Sequence, residues 1–456
     1  MQIELRSVAA PPAAPPAPRP AISAAEYERR IAALYAAAAA DWVVVYGDRE
    51  HAANLAFLCG FDPRFEEALL LLGPDSRRTL VVGNEGLGYA PLATVPLEVA
   101  LSQSLSLMGQ PRDTAPRLGD VLAQAGIGRD ARVGVVGWKY LESAEDDEPG
   151  EPAFVPAILV RTLRRLAGPA AAIFDVTHAL AHPAHGLKST CVAAQIAEHA
   201  WAAERAADAV LRIVRGARPG MTEREAAGLM GYEGDPLSCH MMMVSGDGPI
   251  VGLRSPGDRR LTYGDGVTTA VGYWGSLACR AGLLRDAPEP SFFESVAAPY
   301  FRAIAAWWQG LRIGAAGGAL YEEVLGALEG AAFRPALNPG HLIAIDEWSH
   351  TPIRAGSDDR IASGMVLQCD IIPAPLPPGQ ALNCEDTVAV ADAALRSEIA
   401  AAYPDLWRRI QARREHMRAA LGLVLPEELL PLSSAPAYLP PYWLAPELVC
   451  AVAAQA

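Results

Sequence analysis

The sequence predicts an α/β (α+β) protein of two domains. Three observations carry this. Its 456 residues exceed what one small hydrophobic core organises. Short β-branched and leucine-rich runs alternate with segments of helical period. The pattern then restarts near residue 186 with a long helix. Hydrophobic residues make up 51% of the chain and charged residues 20%, the balance of a folded globular protein. A formal net charge of -14 argues against a nucleic-acid groove and against an anionic membrane surface, both of which call for clustered Lys and Arg.

Residues 1–22 contain a Pro/Ala-rich stretch and are expected to form an extended, mobile lead-in. They lack an apolar segment behind a basic start, so no signal peptide is expected. The first domain is placed at 23–185. A helix opens it, with Tyr27, Ile31 and Leu34 at helical spacing. Strands follow at Trp42–Tyr46, 68–73, 79–83, 131–137 and 171–177, with a helix over 116–126. The apolar window IAALYAAAAADWVVVYG is cut by Asp41 and is too short to span a bilayer.

The second domain is placed at 186–421. A helix over 188–216 stops at RPGMTEREAA, where Gly220 breaks it and Thr222 with Glu225 forms a capping box for the next. Strands are expected at 240–246, 266–272, 276–280, 341–348, 364–372 and 382–391. Helical stretches are expected at 291–329 and 393–421. The Pro-rich tail, 422–456, carries enough large apolar residues to lie against a body or a partner. Seven dispersed cysteines without a CxxC pair suit reduced thiols and a cytoplasmic location, and show no zinc-site spacing.

His341, Asp370 and Glu385 stand out as chemistry-bearing residues. Each lies on a separate strand, and strand alternation puts Gln368 with Asp370 on one face and Asn383, Glu385 and Thr387 on another. A histidine and two carboxylates that converge bind a divalent metal or perform acid–base chemistry; three unrelated polar residues at strand ends would do neither.

The motifs WVVVYGDREHAANLAFLCGFDPRFEEALLLLG, RPGMTEREAA, SGDGP, PGDRRLTYGDGV, PGHLIAIDEWSH, SGMVLQCDIIP and NCEDTVAV appear in this order. Together they resemble the creatinase, prolidase and aminopeptidase P family. The resemblance implies a creatinase-type N-terminal domain followed by a "pita-bread" catalytic domain, and a homodimer. Hydrolases of that family hold two divalent metals with two Asp, one His and two Glu. On the matching motifs His341 takes the place of the histidine, Asp370 of the first glutamate and Glu385 of the second.

The two aspartates are missing. Ala270 occupies the D-x-G position and Leu277 the S-D-x-T-R position of the hairpin GDGVTTAVGYWGSLACR. Neither offers a lone pair, and two close cations without a bridging carboxylate repel each other. The resemblance then implies a metal-independent enzyme acting on a C–N bond of a small cationic or zwitterionic molecule, as creatinase does with a guanidino compound. His341, His350, Asp370 and Glu385 would be catalytic, and Arg254, Arg280, Trp348 and Arg354 would bind substrate. The alternatives are a one-metal peptidase-like hydrolase, with Mn, Fe or Zn on His341, Asp370 and Glu385, and a non-catalytic binding or assembly protein.

Overall fold

The structure is a computed structural model that describes residues 1–15, 17–168 and 172–454. The chain forms two compact units. One comprises Ile22–Lys188. The other comprises Met1–Ala21 together with Ser189–Ala456.

The expected mobile lead-in is ordered and belongs to the second unit. Strand β1 (Ile3–Ser7) lies antiparallel to β17 (Leu448–Val452), and Ile3 and Val8 are buried. Beyond it, the Ala14 amide donates to Asp208 Oδ2 at 2.9 Å, and Trp201 Nε1 donates to the Ala17 carbonyl at 2.9 Å. The Arg19 guanidinium pairs with Glu198. Pro/Ala composition hides such an attachment because backbone groups make most of it. Pro16 lies outside the described residues.

In the unit Ile22–Lys188, a six-stranded mixed sheet runs in the order β5-β4-β3-β2-β6-β7. Its strands are β2 (Trp42–Gly47), β3 (Ala68–Leu72), β4 (Arg78–Val82), β5 (Glu98–Leu101), β6 (Val133–Val136) and β7 (Ile173–Asp175). The run WVVVYG is buried at every position, as expected of a central strand covered on both faces. The first helix spans Ala24–Ala38, and Ser23 Oγ accepts the Glu26 amide at its N-terminus. Between β3 and β4 the chain turns through Asp75 and Ser76 at φ of 56° and 60°. Ala171, the first residue of the expected strand 171–177, lies outside the described residues, as do residues 455–456 of the tail. The sequence reading places neither strand β5 nor the helix Ala157–Ala167, although the helix has an apolar stripe that buries Leu159, Leu163 and Ala167.

The other unit centres on a seven-stranded sheet in the order β12-β13-β15-β10-β9-β8, with β16 also paired to β15. These are β8 (Met242–Gly246), β9 (Gly266–Tyr273), β10 (Ser276–Leu283), β12 (His341–Leu342), β13 (Val366–Cys369), β15 (Asn383–Val390) and β16 (Leu429–Pro431). A small separate pair joins β11 (Arg334–Pro335) to β14 (Pro373–Ala374). The helix Ala193–Gly216 buries Ile196, Ala200, Ala203, Val210 and Val214, the stripe its spacing defines. The capping box at Thr222 and Glu225 forms, with reciprocal bonds between side chains and backbone amides. The expected helix over 393–421 divides at Tyr403, because Pro404 cannot continue a helix but starts one well.

Two departures shape the site. The segment 341–348 is a strand only at His341–Leu342 and then folds back: Leu342 N donates to the His350 carbonyl at 2.7 Å, and Ser349 N donates to Leu342 O at 3.1 Å. The tail is part of this unit's own core, with Ala435, Tyr438, Leu439, Tyr442 and Trp443 buried. Among the described residues no helix is long and apolar enough to cross a membrane.

Candidate functional site

Register brings the site together. On one face of the large sheet, Met242 pairs with Ala270, Ala270 with Cys279, and Cys279 with Glu385. One step along, Thr387 faces Gln368, and Gln368 faces His341. Asp370 directly follows β13 and shares the face of Gln368. His341, Asp370 and Glu385 therefore converge: one ligand atom from each lies within 4.8 Å of the others.

Neighbouring polar groups fix Glu385. Gln368 Nε2 donates to Glu385 Oε1 at 3.2 Å and to the Leu277 carbonyl at 2.7 Å. Gln368 Oε1 accepts the Thr387 hydroxyl, which lies 2.6 Å from Ser276 Oγ. His341 is fixed differently. Its ring stacks on Trp348 with centroids 4.1 Å apart and planes at 17°. Nδ1 lies 3.2 Å from the Leu342 carbonyl, which can only accept, so the neutral ring carries its proton there. The lone pair is left on Nε2, 3.5 Å from Glu347 Oε1 and 3.8 Å from Glu385 Oε1. His341 Nε2 and Asp370 Oδ1 are both buried and make no hydrogen bond among the described residues.

The carboxyl groups crowd one another. Burial first, then the charge of Glu385, pushes Asp370 well above the usual carboxylate range, with His341 opposing. Burial and then Glu347 push Glu385 up in the same way. Burial also raises Glu347, again opposed by His341. A cluster of this kind takes up a cation or holds protons.

A cavity of about 620 Å³ opens over this face. Glu347, Asp370 and Glu385 sit within its lining beside Ala270, Leu277 and Cys279, and its remaining wall is mostly apolar. Ala270 and Leu277, at the two expected aspartate positions, pack with Met242 and Cys279 in a small buried apolar cluster. Two adjacent metal ions do not fit such a floor. One ion fits the donor types and spacing of His341, Asp370 and Glu385, of which His341 Nε2 and Asp370 Oδ1 have no hydrogen bond among the described residues.

Trp348, Asp370 and Glu385 line the cavity. His341 abuts it through Trp348. The arginines do not serve it. Arg280 points to the opposite face of the sheet and is fully engaged: Nη2 binds Asp386 at 2.8 Å and the Ala435 carbonyl at 2.7 Å, and Nε binds the Tyr438 carbonyl at 2.7 Å. Alternation from Cys279 already requires this orientation. Arg354 pairs with Asp359 at 2.9 Å, outside the lining. Arg254 is exposed and absent from the lining, although Leu253 belongs to it. His350 also lies outside the lining, with Nδ1 accepting the Thr351 amide at 2.8 Å. Glu347 is the residue that sequence reasoning missed. On a straight strand it would sit about 20 Å from His341, and only the fold-back brings it near.

The fold is that of the prolidase and aminopeptidase P structures, with a creatinase-type N-terminal domain and a pita-bread domain. A prolidase from Thermococcus sibiricus superposes with a TM-score of 0.64 at 16% identity, covering 80% of this chain and 95% of that one. The X-Pro aminopeptidase from Thermotoga maritima gives 0.62 at 16% identity, with the same two coverages. The dipeptidase PepE from Mycobacterium ulcerans gives 0.58 at 21% identity, covering 80% and 94%. The sequence matches no family model and no curated protein.

Proposed function

We propose that this protein is a hydrolase that cleaves a C–N bond of a small cationic or zwitterionic molecule, with its own side chains performing the proton transfers. The observation that carries this reading is the convergence of His341 Nε2, buried behind Trp348, with the Asp370, Glu385 and Glu347 carboxyls that line one cavity. His341 Nε2 takes a proton from water as the water oxygen attacks the carbon of the scissile bond. The neutral carboxyl that Asp370 and Glu385 retain gives its proton to the departing nitrogen as the C–N bond breaks. Glu347 and Glu385 stabilise the imidazolium. Its proton then passes to the carboxylate pair and the site is restored. Trp348 holds the imidazole plane in place by stacking.

The geometry also favours a second reading. His341, Asp370 and Glu385 would hold one divalent ion, with Glu347 beside it, and the ion would supply an activated water. Elemental analysis of the purified protein, with turnover of small amides and guanidino compounds measured before and after chelation, separates the two. Turnover without bound metal supports the first reading. Stoichiometric metal that is lost together with turnover overturns it in favour of the second. Absence of turnover under both conditions overturns both.

A further inference from the structure

Among the described residues the cavity lining contains three carboxylates, Glu347, Asp370 and Glu385, and no lysine or arginine. The arginines near its walls in sequence are committed or excluded, and Arg334, two positions before Ala336, donates to the Leu328, Ala331 and Phe333 carbonyls. Arg280 is buried against Asp386, Arg354 holds Asp359, and Arg254 is exposed outside the lining. A substrate carboxylate entering this cavity would be desolvated without a counter-charge, beside acids that carry negative charge or none. An uncompensated buried charge costs several kcal/mol.

The rest of the wall points the same way. Ile250, Leu376 and Pro373 line the interior, and Val251, Leu253 and Leu337 line it while remaining half or more exposed, at 54%, 72% and 53%. Trp348 adds an aromatic face beside the acids. Large apolar side chains held in water around a cavity mouth lose that exposure when an apolar ligand covers them. About 620 Å³ is far more than one metal ion or one ammonium group fills.

We propose that the ligand is a lipophilic cation: an ammonium, amidinium or guanidinium head seated on Glu347, Asp370 and Glu385, carrying an apolar body and no carboxylate. This rests on the acid cluster being the site of the proposed hydrolysis, and it narrows that substrate class by excluding zwitterions such as free amino acids and dipeptides. Ala270 and Leu277 belong to the same design, since an aspartate at either position would place charge where the apolar body lies.

The test is calorimetric titration of the full chain with 2-phenylethylamine, phenylguanidine, phenylalanine, 3-phenylpropionate and manganese chloride. The amine and phenylguanidine are expected to bind at least about tenfold tighter than phenylalanine, which differs from the amine by one carboxylate, with 3-phenylpropionate weakest. Glu347→Gln should weaken the amine by a similar factor. Leu337→Arg, at an exposed rim position that folding does not depend on, should narrow the gap by giving phenylalanine the missing cation. Equal or tighter binding of phenylalanine to the wild type overturns the proposal, as does binding of manganese alone. Phenylguanidine binding without any C–N cleavage would sink the hydrolase reading and leave the ligand class standing. Turnover of a zwitterion would do the reverse.

Discussion

Arg280 and Asp386 form an ion pair that is almost wholly buried, with Arg280 Nη2 at 2.8 and 3.0 Å from the two carboxylate oxygens. The pair lies on the face of the sheet opposite the cavity and gathers the C-terminal segment around it. Asp386 accepts the Ser433 hydroxyl at 2.7 Å and the Ala437 amide at 2.8 Å, while Arg280 donates to the Ala435 and Tyr438 carbonyls. Arg280→Met should therefore destabilise the protein by about 3–5 kcal/mol, because it strands a buried carboxylate and removes the side-chain donor to four backbone carbonyls. Urea unfolding measures the loss, and limited proteolysis should cut first within 433–443. A change below about 1 kcal/mol would show that the pair does not hold the tail.

His341→Gln should remove the acceptor at Nε2 and keep much of the ring's volume. Turnover is expected to fall about a hundred- to ten-thousandfold with little change in KM, the signature of a lost proton acceptor. Trp348→Ala frees the imidazole without removing it, so a smaller fall is expected, accompanied by a rise in KM. Steady-state kinetics on the same substrate check both.

Asp370 and Glu385 are raised above the carboxylate range in the folded protein, so the folded state binds more protons than the unfolded chain at mildly acid pH. Stability then falls as pH rises from about 4 toward the folded-state values, the direction that linkage gives when the native state holds the extra proton. Turnover that needs a neutral carboxyl is lost on the same alkaline side. Asp370→Asn should raise the melting temperature most at pH 8 and abolish turnover. An unchanged pH dependence of melting would refute the assignment.

Ala270→Asp with Leu277→Asp adds two carboxylates to a floor that already carries three acids. Without metal the double variant should melt lower than the wild type. Manganese should raise its melting temperature by at least about 2 °C, roughly what 1 kcal/mol gives in a chain of this size. Calorimetric melting with and without manganese is the measurement. A variant indifferent to manganese would show that the hairpin cannot re-form a metal-bridging site.

Strand alternation made much of the site legible. Reading β9 and β10 by twos puts Ala270 and Leu277 toward the cavity, where they lie. The same rule, carried one residue further, sends Arg280 away, and applied to β15 it sends Asp386 after it. A charged residue beside the expected pocket drew the substrate-binding reading instead. Glu347 was not legible, because IDEWSH has no glycine or proline to announce the reversal after Leu342. The reversal is imposed by pairing, as Leu342 bonds back to Ser349 and His350. Composition identified the tail as apolar but could not name what it covers.

The pairing of β1 with β17 has a temporal side. Arg6 and Val452, bonded through Arg6 Nη2, are 446 positions apart. During synthesis β1 leaves the ribosome long before its partner strand, which is made only after everything between. The unit Ile22–Lys188, contiguous in the chain, can finish folding in that interval, whereas the sheet edge at β17 cannot close. Ile3, Leu5 and Val8 wait unpaired meanwhile, next to a run of prolines that cannot donate to a foreign strand.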